Sequence, residues 1–313
     1  MLLVLVPTAW LSWPRGSAPV PLAPGQGVLF GAFVNGSGHG VAGERQVAAL
    51  EADVGHRLAI VHTFDRWGDA FPTPAERAYA ARGQIPFLNL KGIPSERIVD
   101  GSQDGYLRAR ARAVRDLGRP VMISYYAEMD RRSRSAVGTP QQFVEAWRHI
   151  VGIFRDEGAH NAVWVWCATG DGLRGSHPHA PAFYPGDGYV DWACFDAYDW
   201  PRGDGRPHRS FADIAGEPYR YLVKHMPGKP IMLGEFGTVE DPADPAAKAQ
   251  WFAQAAETIR RDMPDLHALV YFDAVAWENG RRIDWRIGSS PQALDAWVRW
   301  ARQPYFRSTP ARG

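Results

Sequence analysis

Eight short apolar runs, each followed by a more polar segment, constrain this chain more than any other feature of it. The runs are 28–34 (VLFGAFV), 58–64 (LAIVHTF), 85–90 (IPFLNL), 120–128 (PVMISYYAE), 162–168 (AVWVWCA), 190–198 (VDWACFDAY), 230–237 (PIMLGEFG) and 266–274 (LHALVYFDA). They are too short and too β-rich for helices, and their near-continuous apolarity fits strands covered on both faces, as parallel strands flanked by helices are. The intervening segments carry helical spacing. Phe143, Trp147, Ile150, Val151 and Phe154 form one stripe behind Thr139-Pro140, where Thr caps and Pro takes the first helical position. Trp251, Phe252, Ala255 and Ile259 form another before Met263-Pro264, and Leu294, Trp297 and Val298 a last one behind Ser290-Pro291. Strand and helix alternating eight times predict an α/β fold, a closed (β/α)8 TIM barrel.

The chain has 313 residues, compatible with one large barrel domain over 28–313. Residues 1–27 read separately, as an apolar lead (MLLVLVPTAWLSW) and a Pro/Gly/Ala-rich linker from Pro14 to Gly27. The lead is too short to span a bilayer and resembles the apolar region of an export signal, although no basic residues precede it. The expectation is therefore a secreted or envelope-associated protein with no membrane span. Lys and Arg number 35 against 34 Asp and Glu, which leaves no electrostatic footprint for nucleic acid or an anionic membrane. The two cysteines, Cys167 and Cys194, rule out a disulfide framework, and each sits in an apolar run, where it reads as a buried free thiol more readily than as half of a bridge. A monomer is expected.

In such a barrel, catalytic groups stand at the C-terminal strand ends. Glu128 closes the fourth apolar run and Glu235 lies near the end of the seventh, in LGEFG. A carboxylate ending a hydrophobic run is costly to bury without a partner or a task. Strands four and seven face each other across a barrel mouth, so two inward glutamates there suit glycoside hydrolysis with retention, one carboxyl attacking and one donating a proton. A structural ion pair at either position is the competing reading.

The order and wording of these motifs resemble glycoside hydrolase family 26. The similarity runs from about Phe30 to Ala301 on AEMD (127–130), WVWCATG (164–170), YPGDGYVDWACFDAYDW (184–200), LGEFG (233–237), YFD (271–273) and DWRIGSSPQAL (284–294). The resemblance implies Glu128 as acid/base, Glu235 as nucleophile, and Tyr198 as the tyrosine that donates to the nucleophile and holds it ionised. Members with mannanase activity carry histidine immediately before the acid/base and asparagine two residues after it; this chain has Ala127 and Asp130. Thr169 likewise stands where an asparagine is expected after strand five. The substrate stays open among mannan, xylan and mixed-linkage glucan.

Sugar-binding candidates follow from position at the strand ends: Asp65 and Trp67 after the second run, Asn89 and Lys91 closing the third, Asp273 closing the eighth, and Trp166, Trp200 and Trp277 as rings able to stack on pyranose faces. Arg131, Arg132 and Arg134 directly after the acid/base raise a second possibility, an acidic envelope glycan. A third is a sugar-binding barrel without turnover. VNGSGHG (34–40) lacks the spacing of a nucleotide loop, His177 and His179 lack companion ligands for a metal, and no Gly-x-Ser-x-Gly elbow occurs. Neither cofactor nor metal is expected, since two carboxylates suffice for the chemistry. The expected partner is a polysaccharide or oligosaccharide.

Overall fold

The structure is a computed structural model and describes residues 22–34, 43–131, 135–176, 179–199, 208–278, 280–307 and 309–310. The apolar lead, most of the 34–40 glycine stretch, Arg132, Arg134, His177 and Trp200 lie outside these residues. Eight strands close into one parallel barrel in sequence order: β1 (Leu29–Val34), β2 (Ile60–Arg66), β3 (Ile85–Lys91), β4 (Val121–Tyr125), β5 (Ala162–Thr169), β6 (Trp192–Asp199), β7 (Ile231–Thr238) and β8 (Leu266–Asp273). Closure comes from β1 against β8, Leu29 opposite Ala268 through Val34 opposite Asp273. Helices α1 (Glu44–Val54), α2 (Pro74–Ala81), α3 (Ser95–Val99), α4 (Asp104–Leu117), α5 (Pro140–Asp156), α6 (Phe211–His225), α7 (Ala247–Asp262) and α8 (Pro291–Ala301) fill the crossovers. A hairpin of β9 (Val275–Glu278) and β10 (Arg281–Asp284) rises from the end of β8. Among the described residues no helix is long and apolar enough to cross a membrane.

The strands sort their side chains by the two-residue period. Leu29, Ile60, Phe87, Met122, Val165, Trp192, Met232 and Val270 fill the barrel interior, while their neighbours Phe30, Val61, Leu88, Ile123, Trp164, Phe195, Leu233 and Leu269 face the helices. α5 shows how the outer layer is secured. Thr139 and Gln142 form a reciprocal capping box, and Phe143, Trp147, Ile150, Val151 and Phe154 are buried. Each such side chain contributes about 1.5–3 kcal/mol relative to exposure.

Three expectations are corrected here. Leu22, read as linker, is buried in the interior cluster, where an apolar side chain leaves water. Cys167 and Cys194, read as free thiols, are joined in a disulfide, because the β5/β6 register sets them directly opposite each other on the interior face. The fourth strand ends at Tyr125 instead of running on to Glu128, since Tyr126 and Glu128 adopt left-handed backbone (φ 49° and 57°) that no strand contains.

Asp65 follows the same alternation out of the barrel. It shares a face with Val61 and Thr63, and its carboxylate pairs with Arg110 of α4 at 3.0 Å, side chains 2% and 3% exposed. Burial pushes the Asp65 carboxyl up, against the pull of the Arg110 guanidinium. Removing one member of such a pair costs about 3–5 kcal/mol. Arg110→Met should therefore lose stability of that order in denaturant titrations at neutral pH. The deficit should shrink in acid, where the orphaned Asp65 takes up a proton.

Candidate active site at the barrel mouth

Glu235 points into the barrel because of one irregularity. By simple alternation it shares parity with Leu233 and faces the helices. Between Leu233 and Glu235 the register with β6 skips Gly234, so Asp196, not Ala197, lies opposite Glu235. The bulge turns Glu235 inward and returns Phe236 to the outer core. Gly234 is required at the bulge: a Cβ there would collide with Cys194 Sγ and stand 2.7 Å from Cys167 Sγ and 3.0 Å from Asp196 Oδ1. The last residue of LGEFG is glycine for a similar reason, since a Cβ at Gly237 would lie 3.0 Å from the Trp285 ring.

Two side chains grip the Glu235 carboxylate. Tyr198 on β6 donates its hydroxyl to Oε2 at 2.9 Å, and His62 on β2 sets Nε2 3.4 Å from Oε1. His62 is itself oriented through Nδ1, 3.0 Å from the Phe87 carbonyl. Burial opposes ionisation of Glu235 most strongly. It is outweighed by the hydrogen bond and charge of His62, the Tyr198 hydroxyl and the charge of Lys91, so the carboxyl is held below its ordinary range. Tyr198 shows the converse: burial and the charges of Glu235, Asp196 and Glu128 push its phenol far up, so it stays a donor. Aromatic rings wall this pocket: Phe33 stacks on Phe272 (5.2 Å) and meets Phe64 edge-on (4.7 Å), His62 lies against Phe64 (4.5 Å), and Trp285 against Tyr198 (4.8 Å).

Glu128 is presented by a turn whose consecutive amides are all engaged. The amide of Tyr126 donates to the Leu90 carbonyl (2.9 Å), Ala127 to Asn89 Oδ1 (3.2 Å) and Glu128 to the Cys167 carbonyl (2.8 Å). These anchors offset two left-handed residues, each costing about 1–3 kcal/mol. Glu128 Oε2 accepts from Arg131 at 2.8 Å. Beside it, Asp130 accepts from the Thr169 amide (2.9 Å) and hydroxyl (2.5 Å), with His179 3.4 Å away. Glu128, Asp130, Arg131, Tyr198 and Arg209 line one open cavity of about 580 Å³ at the C-terminal mouth.

The predicted site residues divide sharply. Glu128, Glu235, Tyr198 and Lys91 meet at the mouth, Lys91 with its Nζ 4.5 Å over the Phe64 ring. Asn89 is buried and serves the Glu128 turn. Asp65 is spent on Arg110. Trp67 donates to Gln103 (2.9 Å) and packs on Tyr106 of α4, and Trp166 is fully buried with its Nε1 on the Phe183 carbonyl (3.1 Å). Asp273 receives the Ile287 amide at 2.7 Å, and Trp277 stands 71% exposed on β9. Trp166 and Asp273 share the outward parity of Trp164 and Tyr271, which is why they leave the mouth. His62 was missed, though alternation from Ile60 placed it inside.

Fold and site thus define a (β/α)8 barrel with two glutamates, from the β4 turn and the β7 bulge, over an orienting tyrosine. Residues 108–214 match the model of glycosyl hydrolase family 26. Endoglucanase H of Acetivibrio thermocellus is 30% identical over 267 residues, 81% of this chain; the chain spans 28% of that relative's length. The catalytic domain of a family 26 endo-β-1,4-mannanase from Bacillus sp. JAMB-750 superposes with a TM-score of 0.67 at 17% identity, covering 91% of this chain and 88% of that one. A family 26 β-mannanase from Bacteroides ovatus gives 0.65 at 16% identity and 91% of each chain. At such identities the solved structures show the fold. With the family-model match and the Acetivibrio relative, the chain resembles glycoside hydrolase family 26.

Tyr198→Phe isolates the grip on Glu235. Losing a hydrogen bond to a charged group costs about 1.5–3 kcal/mol, so any glycan hydrolysis that depends on the Glu235 carboxylate should fall roughly 10- to 100-fold in kcat. The acid limb of the pH–rate profile should move to higher pH, because Glu235 then ionises less readily.

Proposed function

We propose that this chain is a retaining, endo-acting glycoside hydrolase that cleaves a β-linked glucan by double displacement. The observation that carries the reading is the Glu235 carboxylate gripped by Tyr198 and His62, with that same Tyr198 lining the cavity at the barrel mouth beside Glu128. Glu235 attacks the anomeric carbon while Glu128 gives its proton to the departing glycosidic oxygen, leaving a glycosyl ester on Glu235. Glu128, now a carboxylate, takes a proton from water; that water attacks the same carbon and releases Glu235. Phe64, Phe272 and Trp285 supply the apolar surfaces that pyranose faces need.

β-Glucan is preferred over mannan on two grounds. The relative matched over 81% of the chain bears the name endoglucanase, and Ala127 and Asp130 replace the histidine and asparagine of the mannanase pattern. Asp130 is moreover committed to Thr169. An acidic substrate is not favoured, because Arg131 is engaged by Glu128. Nor is a barrel without turnover: a mere binder has no use for a carboxylate kept ionised in an aromatic pocket. Action as a monomer, outside the cell or at its envelope, suits a polymeric substrate.

A panel of barley β-glucan, carboxymethyl cellulose, xylan and galactomannan tests the reading. Barley β-glucan should be the best substrate, and Glu235→Ala should reduce its hydrolysis by at least roughly a thousandfold. Glu128→Ala should regain activity on an aryl β-glucoside when azide is added, as the small anion replaces water without needing a base. Undiminished turnover by Glu235→Ala defeats the proposal, and a clear preference for galactomannan defeats its substrate.

A further inference from the structure

One buried charge takes no part in this chemistry. Lys248, on α7, is 1% exposed, although lysines are almost never fully buried without partners. Its ammonium spends three donors on one short segment: the Arg286 carbonyl at 2.7 Å, Ser289 Oγ at 2.9 Å and the Trp285 carbonyl at 3.5 Å. The same segment is held by the Tyr271 hydroxyl on the Trp285 carbonyl (2.7 Å), by Asp273 on the Ile287 amide (2.7 Å) and by the Trp285 amide on the Ala274 carbonyl (2.9 Å). What the segment presents is the Trp285 ring, which lies over the bare Gly237 and against Tyr198.

We propose that Lys248 is a positioning residue for the nucleophile: by clamping 285–289 it fixes the indole that backs Tyr198, and thereby the aim of Glu235. This rests on the reading of Glu235 as nucleophile. The chain of contact is short and contiguous, from Nζ to the Trp285 backbone, from its ring to the Tyr198 ring, and from the phenol to Glu235 Oε2 at 2.9 Å. Buried polar groups in such networks specify one geometry when every member is satisfied. Glu240 extends the clamp by accepting from Ser289 Oγ at 2.5 Å.

Charge supports the geometry. Burial pulls the Lys248 ammonium down to about 8, against the carboxylates of Glu240, Asp284 and Asp273 and with the help of Arg286. The neutral amine has two N–H groups for three acceptors, so the clamp loosens above that pH. The contribution of Lys248 to global stability moves the other way. A lysine that releases its proton more easily when folded binds fewer protons there, so its contribution to stability rises with pH from about 8 towards the unfolded value. A structural lysine and a positioning lysine therefore differ in what falls at alkaline pH.

The test is inactivation by 2,4-dinitrophenyl 2-deoxy-2-fluoro-β-cellobioside, whose leaving group needs no acid, so the rate constant reports the attack of Glu235 alone. Lys248→Met should lower that rate constant roughly tenfold while the inactivator's binding constant stays within about twofold. In the unsubstituted protein the rate constant should fall as pH passes about 8, while its melting temperature relative to that of Lys248→Met does not, and in Lys248→Met the fall in rate should be absent. If Lys248→Met does not fold, Ser289→Ala, which removes one acceptor and the link to Glu240, should lower the rate roughly threefold. An unchanged rate constant in a folded Lys248→Met or Ser289→Ala, or an unchanged pH profile in Lys248→Met, overturns the proposal. Failure of the unsubstituted protein to be labelled at Glu235 overturns the functional reading itself.

Discussion

The structure turns on one electrostatic problem, keeping a carboxylate ionised inside an aromatic pocket. Burial by itself would drive Glu235 to its neutral acid, and a neutral acid is no nucleophile. Tyr198, His62 and Lys91 reverse that balance, and they come from β6, β2 and β3. A closed barrel brings the ends of those three strands and β7 to one mouth. The barrel matters to Glu235 because it brings two hydrogen-bonding side chains and a charge from three other strands to one carboxylate on β7.

Much of this was legible in the residues. Eight apolar runs became eight strands with ends shifted by a few residues, and the stripes behind Thr139-Pro140 and Ser290-Pro291 became α5 and α8 with the expected caps. Strand-end position picked out the two glutamates and the family resemblance added Tyr198, and the structure sets Tyr198 between them at the mouth. The sugar-binding set fared worse, because proximity to a strand end was taken without its parity. Alternation sends Asp65, Trp166 and Asp273 to the helix layer and His62 to the mouth.

Glu235 is the instructive exception. The same alternation, applied strictly, places it outside; only the bulge at Gly234 brings it in. The local sequence carries that bulge as a glycine, but the need for glycine arises from sulfur atoms and a carboxylate on β5 and β6, distant in sequence. The left-handed turn of Glu128 is similar. Its anchors are Leu90, Asn89 and Cys167, on two other strands, so nothing within 120–128 announced that the strand stops at Tyr125.

The central claim is that two glutamates act in succession through a glycosyl ester on Glu235, and the stereochemistry of the product reports on that most directly. Proton NMR of barley β-glucan during the first minutes of hydrolysis should show the new reducing ends appearing as the β anomer, with the α anomer growing in later by mutarotation. Initial appearance of the α anomer would mean a single displacement by water, and would contradict the account.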